Sequence, residues 1–169
     1  MHSLTPSLTS AVATWAARQP LPAELLGRSP SMVAEAQGEG YGAAGQVRQE
    51  KKMEAFQRNY VQWMTTFAGE VLKVLRELND RSYSPGRLFI NGDHHRPKAI
   101  ITIPSEQLHK EKFAKEILSF VRLLESEGRK VHRHFSISFI DDGTPLNESA
   151  LKADGYDLSL PLDGRLAIE

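Results

Sequence analysis

Histidine is the residue type whose placement most suggests chemistry. His132 and His134 stand two apart in residues 131–140, a run that alternates apolar and polar side chains. On a β-strand such residues share one face and lie about 6–7 Å apart along it. Two imidazoles so placed can present to one zinc ion, with Asp93, His94 or His95 as further ligands. No spacing matches a signature such as H-E-x-x-H, so the leading expectation is no cofactor, with zinc at His132, His134 and His94 as the alternative. The same pair would also make an acid-sensitive contact, because histidine changes charge near pH 6.

The second candidate is the polar segment Asn91-Gly92-Asp93-His94-His95-Arg96-Pro97. Asp93 beside His94 suits an orienting carboxylate and a general base, His95 adds a second imidazole, and Arg96 could hold an anion. A nucleophile in a recognisable context is missing: there is no G-x-S-x-G and no phosphate-cradling loop after a strand. Gly40-Tyr-Gly-Ala-Ala-Gly45 does spell G-x-G-x-x-G, but it follows no predicted strand and fits a Gly/Ala-rich linker better. Asp141-Asp142-Gly143 with Glu148 lacks the alternating oxygen ligands of a calcium loop and suits an ordinary turn. There is no cysteine, which removes disulfides, thiolate metal sites and cysteine nucleophiles.

Charge narrows the partners. Lys plus Arg and Asp plus Glu both number 21 in the 169 residues, so a strongly basic nucleic-acid binder is not indicated. The distribution is uneven, however. Residues 50–135 carry 16 Lys or Arg against 11 Asp or Glu, while residues 136–169 carry 2 against 7. A basic middle and an acidic end can occupy opposite faces of one fold, or pair between copies in a homodimer. Arg96, Lys98, Arg129, Lys130, Arg133 and the lysines 110, 112 and 115 are the candidates for a nucleic-acid surface. Exposed aromatics between them, which a binding sheet would want, are missing.

The elements that must position these residues follow from periodicity. Residues 1–49 are expected to form a separate arm. Thr5-Pro6 suits a helix start, and Leu8, Val12 and Trp15 form an apolar stripe that either clamps on the domain or anchors a partner. Pro20 and Pro22 break this helix, residues 22–27 allow one more turn, and the glycines of 38–45 favour a flexible linker. Residues 50–169 are expected to form the compact domain. Met53, Phe56, Tyr60, Phe67, Val71 and Leu78 recur at helical steps and predict a helix over residues 50–79, longer than a globular fold usually needs.

Residues 87–91 and 98–103 predict two strands of a long-looped hairpin. Ser105 is then expected to cap a second long helix that Gly128 closes. Residues 131–140 predict the best strand, with Val131, Arg133, Phe135, Ile137 and Phe139 on the core side. Tyr156, Leu158, Leu160 and Leu162 predict another, placed at a sheet edge by Pro161. Asp163-Gly164 suits a tight turn into a last strand at 166–168.

The order α-β-β-α-β-β predicts an α+β two-layer sandwich, with two long helices on one face of a mostly antiparallel sheet of four or five strands. The opposite face is expected to be wet or open to a partner. No apolar run is long enough to span a bilayer and the start lacks a signal-peptide pattern, so a soluble, cytoplasmic protein is expected. Secretion through an unfolded N-terminal signal is the alternative. The functional expectation is a non-catalytic protein–protein interaction or adaptor module, acting through Leu8, Val12, Trp15, His132 and His134. The alternatives are a metal-dependent hydrolase built on the histidine loop and a nucleic-acid-binding protein using the basic middle segment.

Overall fold

The computed structural model describes residues 7–21, 42–143 and 145–162. The expected helix start at Thr5-Pro6, the turn at 22–27, most of the glycine linker and the last turn and strand at 163–168 lie outside them. The chain runs α1 (Leu8–Ala17), α2 (Gly42–Asp80), β1 (Arg87–Asn91), β2 (Lys98–Ile103), α3 (Ser105–Leu108), α4 (Glu111–Phe113), a π-helical turn (Ala114–Leu118), α5 (Ser119–Lys130), β3 (Ser136–Asp141), α6 (Glu148–Ala153) and β4 (Leu158–Pro161).

The long helix is the spine. Its stripe of Met64, Phe67, Ala68, Val71, Val74, Leu75 and Leu78 is fully buried and covers the sheet. At 1.5 Å per residue its 39 residues span about 58 Å, roughly three times the reach of a six-residue strand. The excess is at the N-terminal end, where Tyr60, Val61 and Trp63 are partly buried and α1 packs alongside. The helix begins eight residues before the expected position 50, inside the predicted linker. Extending an existing helix adds one hydrogen bond per residue with no new nucleus, which offsets the roughly 1 kcal/mol cost of each glycine.

The N-terminal helix docks on this spine. Leu8 and Val12 are 1% and 0% exposed and belong to the same core as the sheet residues. Their apolar stripe is therefore satisfied within the molecule. Ser7, two residues after the expected cap, accepts from the Ser10 backbone N–H and starts the helix. At the other end the Gln57 side-chain amide donates to the Ala17 carbonyl at 2.8 Å, tying α1 to α2.

The sheet is mixed, in the order β3-β2-β1-β4. The hairpin forms as expected, with Asn91 opposite Lys98, and β4 pairs antiparallel with β1 at an edge, carrying Pro161. The third strand, however, runs parallel to β2. A helix that returns the chain across the sheet brings it back to the starting end, so the strand after it points the same way.

Two further expectations are corrected. The second long helix is interrupted at His109-Lys110 and again by the π turn at 114–118, which brings Phe113, Ile117 and Val121 onto the core side. The sheet's second face is also covered in part, over β1, while Lys98 and Ser138 on the same face stay exposed. Because β3 and β4 lie at opposite edges, the chain between them must cross the sheet, and α6 does so. Arg87, Phe89 and Asn91 point away from the long helices. Arg87 pairs with Glu148, Asn91 Nδ2 donates to the Asp154 carbonyl at 3.0 Å, and Phe89 is only 2% exposed.

Three helices end in the same hydrogen-bonded turn. After α2, α5 and α6 an N–H reaches back five residues, from Tyr83 to Leu78, Arg133 to Gly128 and Tyr156 to Leu151. The residue before each donor has a positive φ: Ser82 at 64°, His132 at 59° and Gly155 at 94°. Gly128 does not end its helix but permits the turn, since a Cβ there would lie 2.6 Å from the Arg133 carbonyl oxygen and 2.8 Å from the Phe135 ring.

Two stability measurements check this packing. Leu8→Ala is expected to lower the free energy of urea unfolding by about 2–5 kcal/mol, as for a core leucine; a loss under about 1 kcal/mol would place α1 outside the core. Gly128→Ala is expected to destabilise despite alanine's better helix propensity, and a gain in urea midpoint would contradict the close approach.

Candidate functional site

The turn after α5 redraws the histidine pattern. The strand begins at Ser136, so His132 and His134 are not strand neighbours on one face. His132 occupies the left-handed position of the helix-ending turn, and Val131, expected in the core, is 60% exposed. Phe135 and Ile137 are buried as expected. Glycine is the usual residue at such a position, because a side chain there costs about 1–2 kcal/mol.

The β1–β2 loop is held from two sides. Asp93 Oδ1 accepts the backbone N–H groups of His95 at 2.8 Å and Arg96 at 3.1 Å, which curls the chain into an Asx turn. Burial alone would raise the Asp93 carboxyl. The backbone donors of Arg96 and His95 and the adjacent imidazoles outweigh it and hold the group below the ordinary carboxylate range. Asp93 thus organises the loop through its backbone, rather than orienting His94 by a hydrogen bond.

From the other side, the Tyr60 hydroxyl donates to the Gly92 carbonyl at 2.7 Å. Gly92 has no room for a Cβ, which would collide with the Trp15 ring and the Tyr60 hydroxyl. Burial, with Asp93 and Asp157 nearby, pushes the Tyr60 phenol up to about 12, so it stays a donor well into alkali.

These constraints bring four of the six histidines to one open groove of about 640 Å³. His94 and His95 come from the hairpin loop, with ring centroids 4.0 Å apart, and His132 and His134 come from the turn with Arg133 between them. The floor is the outer face of α2, with Asn59, Gln62, Trp63 and Thr66. None of these lining residues is a carboxylate. Among the described residues no three of His, Asp or Glu converge closely enough to hold a metal ion.

The other candidates fall elsewhere. Leu8 and Val12 are inside the core, while Trp15 lies against Gly92 and lines a separate pocket with Phe56, Tyr60 and Asp157. Arg96 is exposed on the loop and is not among the residues lining the groove. Residues 42–45, the end of the G-x-G-x-x-G spelling, are helical, and Gly40 lies outside the described residues. Asp141 accepts the Gly143 N–H at 2.7 Å, closing a turn. Of the groove residues, Asn59, Gln62, Trp63 and Thr66 are not among the candidates that the sequence offers. They occupy spacings of three and four on one helix face, a pattern visible in the sequence but ordinary on any solvated helix.

Among the described residues no helix is long and apolar enough to cross a membrane. The chain matches no family model, no curated protein and no solved structure.

Two outcomes test this geometry. His132→Gly is expected to raise unfolding stability by about 0.5–1 kcal/mol, the strain relieved at that φ less the extra entropy a glycine loses on folding; a loss of stability would mean the imidazole is held by contacts that outweigh the strain. Tyr60→Phe is expected to cost about 1 kcal/mol at neutral pH. The Tyr60 phenol is higher in the folded than in the unfolded chain, so its contribution is complete below pH 10 and declines as pH rises toward 12. Base titrations of unfolding should therefore fall less steeply in the Phe variant, and parallel curves would contradict the assignment.

Proposed function

We propose that the protein is a non-catalytic interaction module that takes an acidic segment of a protein partner along the histidine groove. The observation that carries this reading is the convergence of His94, His95, His132, His134 and Arg133 on one open groove whose lining contains no carboxylate. Imidazoles and a guanidinium offer donors to carboxylates, and the amides of Asn59 and Gln62 can pair with an extended backbone.

An acidic peptide fits better than a nucleic acid. Arg133 is the single permanently charged lining residue, too little to neutralise several phosphates, and the net charge of the whole chain is zero.

The test is calorimetric titration of the full chain with an Asp/Glu-rich dodecapeptide, and with a Ser/Gly peptide of the same length, at low salt. Binding of the acidic peptide is expected to be about tenfold tighter than that of the Ser/Gly peptide, from several partly exposed polar and charge pairs of about 0.5 kcal/mol each. It should be lost in a His132→Ala, His134→Ala double variant. No preference for the acidic peptide, an unaffected double variant, or tighter binding of an oligo-dT strand would overturn the proposal, the last in favour of nucleic acid.

A further inference from the structure

A second site lies beside the groove and has the opposite character. Four parts of the chain meet around a pocket of about 350 Å³: the end of α1, the face of α2, the β1–β2 loop and the loop before β4. Three aromatic side chains line it. Phe56 and Tyr60 are four residues apart on α2, with ring centroids at 6.3 Å and planes within 6° of parallel, so their faces are turned the same way. Trp15 closes the third side, seated against Gly92. His94 stands edge-on to Phe56 at 5.7 Å and separates this pocket from the groove.

Two carboxylates complete the wall, Asp93 and Asp157. Among the described residues neither forms an ion pair with a Lys or Arg, and no Lys or Arg lines the pocket. Their field already acts on the pocket, since both push the Tyr60 phenol upward. Aromatic faces beside carboxylates that no Lys or Arg pairs with are the complement of an organic cation, because the ring quadrupole and the carboxylates attract the same sign. A bare ammonium is strongly hydrated, and three ring faces cannot replace its hydrogen bonds. A methylated ammonium has little hydration to lose and presents an apolar surface. The volume is at the lower end of small-ligand sites, which suits such a head group.

We propose that this pocket binds a methylated ammonium group, held between the faces of Trp15, Phe56 and Tyr60 with Asp93 and Asp157 supplying the counter-charge. This site is distinct from the groove and does not rest on the acidic-peptide reading.

Choline and its uncharged isostere 3,3-dimethylbutanol, titrated separately into the full chain, test it. The indole N–H of Trp15 in ¹H–¹⁵N spectra reports on this pocket, and that of Trp63 reports on the groove. Choline is expected to shift Trp15, to leave Trp63 unmoved and to bind about tenfold more tightly than the alcohol. Asp157→Asn, at an exposed position, should weaken choline about threefold and leave the alcohol unchanged. A trimethyllysine peptide identifies the source of the group: tighter binding than choline assigns a modified protein, and equal or weaker binding assigns a small molecule. Equal affinity for choline and the alcohol, a shift at Trp63 in place of Trp15, or an Asp157→Asn variant that binds choline as well as the parent would overturn the proposal.

Discussion

The contact on which both candidate sites depend is the hydrogen bond from Tyr60 to the Gly92 carbonyl, made where no Cβ can fit. It fastens the hairpin loop to the long helix, and the same bare glycine seats Trp15. One joint therefore sets the position of His94 and His95, the seat of Trp15 at the end of α1 and the wall between a groove lined by histidines and Arg133 and a pocket lined by two carboxylates. A neutral hydrogen bond is worth only about 1 kcal/mol net, so the joint's importance is geometric. The stability behind it comes from the buried stripes of α1 and α2, which share one core with the sheet.

Much of the fold was legible because periodicity reports burial. The stripe from Met53 to Leu78, the hairpin at 87–103 and the edge position of Pro161 all follow from local pattern. The parallel pairing of β3 does not, since direction depends on where a helix returns the chain and not on the strand's own residues. The crossing of α6 over the second sheet face was hidden for a similar reason. It follows from strand order, and an alternating strand looks the same whether its polar side meets water or a short helix.

The candidate site shows the same division. The hairpin loop was visible as a cluster of polar residues, and Asp93, His94 and His95 do occupy one loop. The alternation of residues 131–140 predicts a strand with His132 and His134 on one face, yet Gly128 lets the chain close a helix-ending turn that puts His132 in the left-handed region. A glycine five residues before the turn's final donor was the available signal. The convergence of loop and turn on α2 is tertiary and left no mark in either segment.

Amide hydrogen exchange on a Gly92→Ala variant tests the joint most directly. Faster exchange is expected in both α1 (Leu8–Ala17) and residues 92–97, with the β2–β3 pair and α5 still protected. Unchanged protection of α1 in that variant would contradict it, and would mean that the N-terminal helix and the histidine loop are positioned independently.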